Sequence, residues 1–281
     1  MLSHLVSHLG LILGTTQDNN KSKKQCALTK EVYMEDAFIA VFANVGVILI
    51  LALTLKAFNK VDINITWSLI SLGIFTCYVF ALFRGSEVIP LDIFFTDMSW
   101  NWSGKIAVII LWGSVILALA KYKHGFRIAD AGFTFKQSEG SLKPAFIALC
   151  LFVILQVIVS WFWSGESRYD LETLLYQATM PGFDEEPMFR GVLLFCITLA
   201  IVSKRYSLAS APINIGGLLL VLLFGLVHGV MFSDGEWYFS FTSILLTGGY
   251  GFILLWLRER TGSLVFPIIA HNSVNVVGQL I

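Results

Sequence analysis

Charge is what this 281-residue chain has least of: Asp, Glu, Lys and Arg together make up 14% of it, against the roughly 25% found in soluble domains. Hydrophobic residues make up 56%, and the mean hydropathy is +0.76, which excludes a soluble globular domain and points to a polytopic membrane protein. The 19 basic and 19 acidic residues cancel, and no Lys/Arg-rich block with interleaved aromatics occurs, so no nucleic-acid partner is expected. Cysteine is sparse too. Cys26, Cys77, Cys150 and Cys196 lie far apart with no CxxC spacing; they carry no information on redox compartment and read as lipid-facing or packing residues. There is no P-loop, no GxSxG and no credible serine-lysine pairing. No internal repeat is evident, which removes the usual signature of a transporter built from duplicated halves.

What the chain has instead is long apolar runs. Bounded from one charged or turn residue to the next, they are Ala37 to Leu55, Ile65 to Phe83, Ile106 to Ala120, Pro144 to Trp163, an interrupted stretch from Leu171 to Ser203, Ile213 to Phe232, Trp237 to Leu257, and Ser263 to Ile281. Unpaired strand edges cannot be satisfied in lipid and the alternation of a β-barrel is absent. The expected fold is therefore all-α, a polytopic membrane bundle of about eight transmembrane helices. Residues 1–35 read as an interfacial segment and linker, with His4 and His8 on one face of Met1 to Thr15; residues 36–143 as the N-terminal helices and a cytoplasmic loop; residues 144–281 as the core that carries chemistry. Basic residues orient the bundle. Lys121, Lys123, Arg127, Lys136 and Lys143, with Lys56, Lys60, Lys204, Arg205, Arg258 and Arg260, place their loops in the cytoplasm. The loops holding Glu87, Asp92 and Asp97, then Glu166 and Asp170, then Asp234 and Glu236, fall outside. Lys21, Lys23, Lys24 and Lys30 run against this pattern. Tryptophans cluster at span ends (Trp100, Trp102, Trp161, Trp163, Trp237), as an interfacial belt would, and Gly248, Gly249 and Gly251 read as a helix-packing surface.

A charge at the bilayer centre costs about 2.5–3.5 kcal/mol, so ionisable residues inside the spans are functional candidates. They concentrate in Pro181-Gly182-Phe183-Asp184-Glu185-Glu186-Pro187-Met188-Phe189-Arg190. Helical spacing puts Arg190 on the face of Glu186, where the two can pair, and turns Glu185 about 100° away as a carboxylate left over. Pro187 is tolerable in the first turn of a helix that starts near Asp184, after a break at Pro181-Gly182. A structural pair at a helix start is the bland reading of this segment, and the weaker one. Two further segments make a site the better explanation: His228 in the sixth span, one turn after Phe224, and His271 and Asn275, four apart in the last.

The three segments resemble the CPBP family, the intramembrane endopeptidases that include the type II CAAX prenyl proteases and the bacterial abortive-infection-like proteins. The resemblance runs through EExxxR (Glu185, Glu186, Arg190), FxxxH (Phe224, His228) and HxxxN (His271, Asn275), and through Arg260-Thr261-Gly262-Ser263-Leu264 with Pro267, over about the last 110 residues. It implies an intramembrane protease acting on a membrane-anchored protein or peptide. The residue chemistry agrees: a buried carboxylate, Glu185, helped by His228, suits the activation of water, and donors on one face, His271 and Asn275, suit an oxyanion. The resemblance assigns the same roles and gives Glu186 and Arg190 the task of holding the site together.

No cofactor is expected. Zinc on Glu185, Glu186, His228 and His271 is the alternative, and the lack of HExxH and the origin of the two histidines in different helices weigh against it. With basic loops inside, the cavity opens toward the extracytoplasmic leaflet, which departs from the cytosol-facing site that CAAX processing implies. Competing readings are a non-catalytic scaffold or bacteriocin-immunity protein of the same fold, and a transporter relaying protons through Glu185 and His228. A compact chain without a retention signal suggests a bacterial inner membrane.

Overall fold

The computed structural model describes residues 23–91, 98–163 and 170–281. The segment Met1 to Thr15, Lys21, and the loop residues Asp92, Asp97 and Glu166 lie outside them, as do the side chains of Lys23, Lys24, Lys30, Cys26 and Trp163.

Among the described residues eight helices form the bundle: α1 (Lys23–Ala57), α2 (Ile65–Val88), α3 (Trp102–Tyr122), α4 (Leu142–Trp163), α5, α6 (Ile215–Gly229), α7 (Phe241–Thr261) and α8 (Val265–Leu280). Helix α5 is continuous through three parts, Leu171–Glu186, a π-helical stretch Pro187–Leu193, and Leu194–Ala200. Among the described residues five helices, including all of α2, α3 and α7, are long and apolar enough to cross a membrane. α5, which carries Asp184, Glu185, Glu186 and Arg190, and α8, which carries His271, are not among them. The surface is apolar and part of the interior is charged. Leu49, Ile50, Leu53, Phe146, Leu151 and Trp161 are exposed, whereas Asn44, Asp184, Glu186 and Arg190 are buried. In a soluble protein that distribution would be inverted; here it matches a lipid solvent. The protein is an all-α polytopic membrane bundle. Cys77 and Cys150 lie on exposed faces and Cys196 is buried.

Three two-stranded antiparallel ribbons complete the fold: β1 (Asp62–Ile63) with β2 (Ile201–Val202), β3 (Arg205–Leu208) with β4 (Ala211–Asn214), and β5 (Val230–Ser233) with β6 (Glu236–Phe239). The last corrects two expected boundaries. The sixth span stops at Gly229 rather than Phe232, and the seventh starts at Phe241 rather than Trp237. The cause is Asp234-Gly235, both at positive φ (53° and 79°), a two-residue turn that folds its apolar flanks into a hairpin.

The helices alternate in direction, so contacts between loops define two ends. At one, Arg258 Nη2 donates to Asp130 O (3.1 Å), Arg260 Nη2 to Gly140 O (2.6 Å), and Ser138 N to Thr261 O (2.7 Å). β1 and β2 lie at the same end, beside Lys60 and Lys204. At the other end Glu172 accepts from the backbone of Ser99 and Trp100, and Asp36 Oδ2 accepts from Asp234 N (2.9 Å). Helices α6 and α7 meet where a Cβ on Gly225 would lie 3.2 Å from Gly248 Cα. Small residues there let the backbones approach, as in many membrane helix pairs.

The expected break at Pro181-Gly182 does not occur. Leu171–Glu186 runs helically through both, and both are buried. Gly182 N donates to Asn272 Oδ1 of α8 at 2.7 Å, and a Cβ on Gly182 would come within 2.8 Å of Ile268 O. The close approach of α8 holds a segment whose local sequence favours a break.

Candidate active site

The π-helical stretch begins at Pro187, whose ring clashes with the carbonyl four residues back in a regular α-helix and whose nitrogen carries no proton. That carbonyl, Phe183 O, accepts instead from Trp112 Nε1 at 3.2 Å. A wider turn of this kind often marks a functional site. Here it follows directly on three consecutive carboxylates, Asp184, Glu185 and Glu186, the first and last of them fully buried.

Asp184 and Glu185 share a partner on α3, and Glu186 has its partners one turn further along α5 and on α8. Glu186 Oε1 takes Arg190 Nη1 at 3.1 Å and faces His271 Nδ1 at 2.7 Å. Arg190 also donates through Nη2 to Gly251 O (3.2 Å), and its guanidinium lies 4.4 Å from the Phe224 ring centroid. The Glu186–Arg190 pair is the one that the spacing predicts. Glu185 is not the carboxylate left over that the sequence suggests: Lys105 Nζ of α3 lies 2.8 Å from its Oε1 and 3.0 Å from Asp184 Oδ1. Glu185 Oε2 faces His271 Nε2 at 4.0 Å.

His228 sits at the end of α6, its ring 4.6 Å from that of Phe224. Its Nδ1 is 2.6 Å from Phe224 O. A carbonyl can only accept, so Nδ1 carries a proton and the neutral ring keeps a free lone pair on Nε2. Glu185, His228, His271 and Asn275 all line one cavity of about 790 Å³, together with Lys105, Tyr78 and Tyr176. Its walls also include Asp36, Ser99, Asn101 and Asp234, so it extends to the end of the bundle opposite the basic loops.

Several contributors are invisible to the motif reading. Lys105 stands just before the third apolar run; its signal is a cation in the first turn of a helix whose other charge, Lys121, lies in the last turn. Asp184, taken as a helix start, is instead a buried ligand of that cation. Asn272, between the two motif residues of α8, ties α8 to Gly182. Trp100 and Trp102, expected as interfacial anchors, donate through their indoles to Thr173 and Glu172 and pack on Tyr176 at 4.9 and 5.2 Å, and of the two Trp100 lines the cavity.

An acid- and histidine-lined cavity inside a helix bundle with an apolar surface defines an integral membrane protein with a polar internal site. Residues 167–277, which contain Glu185, Glu186, Arg190, Phe224, His228, His271 and Asn275, match the family described as Rce1-like, type II CAAX prenyl endopeptidase Rce1-like. The match covers less than half of the chain, and through it this C-terminal segment is similar to the type II CAAX prenyl endopeptidases. No curated protein and no solved structure matches it.

Removing one partner of a buried ion pair strands the other charge. Arg190→Leu is expected to lower the unfolding free energy by about 3–5 kcal/mol. Arg190→Lys keeps the charge but has no fork to span Glu186 and Gly251 O together, and should lose about 1–2 kcal/mol. Denaturant titration of the purified chain in lipid nanodiscs measures both; equal losses would contradict the bidentate role.

Proposed function

We propose that the chain is an intramembrane endopeptidase that hydrolyses a peptide bond of a membrane-anchored protein or peptide. The observation that carries this reading is the convergence of Glu185, His228, His271 and Asn275 on one cavity. Water bound against Glu185 and His228 Nε2 gives a proton to the Glu185 carboxylate as its oxygen attacks the carbonyl carbon. The oxyanion of the tetrahedral intermediate takes hydrogen bonds from the Asn275 amide and from His271. Because His271 Nδ1 engages Glu186, donation from Nε2 requires the doubly protonated ring; the Asn275 amide donates in either state. Collapse breaks the C–N bond, and Glu185 returns the proton to the leaving nitrogen.

We favour a glutamic over a metal-dependent mechanism on the chemistry of the donor set. A metal on Glu185, Glu186, His228 and His271 would have to share Glu185 with the Lys105 ammonium and Glu186 with Arg190, and cations of like sign repel. Among the described residues no group of three or more His, Cys, Asp or Glu is arranged to hold a metal ion.

The membrane orientation follows from the positive-inside rule: the end with Lys56, Lys60, Lys121, Lys123 and Arg260 is cytoplasmic, and the cavity opens to the other side. A prenylated cytosolic C-terminus is therefore disfavoured as substrate.

The test of function is mass spectrometry of terminal peptides from native membranes carrying the wild type, Glu185→Gln or His228→Ala at matched expression. New termini present with the wild type should fall by about 100-fold or more in both variants; termini unchanged between wild type and variants would move the protein to the scaffold reading. The orientation is tested by single cysteines in a background without native ones. A membrane-impermeant maleimide added to intact cells should label Phe239→Cys on β6 and spare Phe135→Cys in the basic loop, both positions being exposed at 72% and 93%. The reverse pattern would turn the cavity toward the cytoplasm.

A further inference from the structure

The molecule offers several features outside the four motif residues: the β5–β6 hairpin at the mouth of the cavity, the buried Arg258 strut to the basic loop, the Gln156–Tyr250 contact between α4 and α7, and the Lys105–Asp184 pair. The last is carried furthest. Lys105 is 8% exposed and sits in the first turn of α3, where the positive end of the helix dipole disfavours a cation. Neither its own helix nor lipid accounts for an ammonium there. What accounts for it is α5: Asp184 at 3.0 Å and Glu185 at 2.8 Å.

The first turn of α3 is itself held in place. Asn101 accepts from Gly104 N (2.9 Å) and donates through Nδ2 to Leu82 O of α2 (2.8 Å). A Cβ on Gly85 of α2 would lie 2.5 Å from Gly104 Cα, so the two helices touch at the residue before Lys105. The ammonium therefore projects from an anchored turn onto Glu185 Oε1, and Glu185 Oε2 is the oxygen that faces His271 Nε2.

We propose that Lys105, fixed by Asp184, is the positioning residue of Glu185. It pins Oε1, so that the carboxylate presents Oε2 to the water and to His271. Asp184 keeps the ammonium in place by matching its charge, which leaves Glu185 free to take up and release a proton without Lys105 leaving the site. This deepens the endopeptidase reading and rests on it: the site is a pair of linked units, Asp184–Lys105–Glu185 for the base and Arg190–Glu186–His271 for its neighbour.

The test must separate holding the base from merely holding the fold. Lys105→Met strands two carboxylates and should lower the melting temperature of the chain in nanodiscs by about 5–10 °C. Adding Asp184→Asn removes one stranded charge, so the double variant should recover most of that loss. Proteolysis should not recover with it. The rate at which Glu185-dependent termini appear in native membranes is expected to drop at least about tenfold in Lys105→Met and to stay low in the double variant, while Lys105→Arg retains at least about a fifth of the wild-type rate. A double variant that regains both stability and rate would reduce Lys105 to a structural residue and overturn the proposal, as would a Lys105→Met rate within about twofold of wild type. If the wild type yields no termini that Glu185→Gln removes, the endopeptidase reading itself falls, and the proposal with it; that outcome is distinct from termini that persist without Lys105.

Discussion

Three adjacent carboxylates inside a membrane helix are the constraint on which this structure turns. Unpaired, Asp184, Glu185 and Glu186 would each carry the cost of a charge in lipid, and their mutual repulsion would add to it. The partners come from separate places: Lys105 from α3, Arg190 from one turn further along α5, and His271 from α8. Satisfying the charges therefore assembles the bundle. α3 and α8 converge on α5 where its ionisable residues lie, and α7 enters through Gly251 O, which takes the second nitrogen of Arg190.

The same constraint explains the irregular backbone. Pro187 forces a wider turn just after the acidic run, and the carbonyl it frees is met by Trp112. Gly182 brings the α8 backbone close enough for Asn272 to accept its N–H. These contacts leave little freedom to the residues that line the cavity, and pre-set geometry is what a hydrolytic site needs, because its dipoles must be aimed before charge develops. His228 illustrates this at the level of one proton: the Phe224 carbonyl decides which ring nitrogen is free.

Much of this was legible in the sequence. Hydropathy marks where the eight helices lie, though not all of their ends, because lipid permits few alternatives to a helix. Within each helix the i, i+4 spacing fixes a shared face whatever the surroundings, and the packing of α5, α6 and α8 then brings Glu185, His228, His271 and Asn275 to one cavity. Most of the misses are tertiary. The helix through Pro181 depends on α8, which no local propensity encodes. Lys105 lies far along the chain from its carboxylates, and a lone lysine near a span end reads as a snorkelling residue until α5 is placed beside it. Trp100 and Trp102 have the composition of an interfacial belt, and only their contacts with Glu172, Thr173 and Tyr176 give them another use. The β5–β6 hairpin is the exception, a local signal passed over: Asp234-Gly235 between apolar residues is a strong turn pattern, masked by the apolar run around it.

The central claim is that the carboxylate-histidine cavity uses water to cut a peptide bond, and the most direct measurement follows the oxygen. Purified chain in nanodiscs, incubated with its own solubilised membrane proteins in water enriched in oxygen-18, should generate new C-terminal carboxylates that carry the heavy isotope, and Glu185→Gln should generate none. New labelled termini in equal amount from Glu185→Gln, or no new termini from the wild type, would contradict the account.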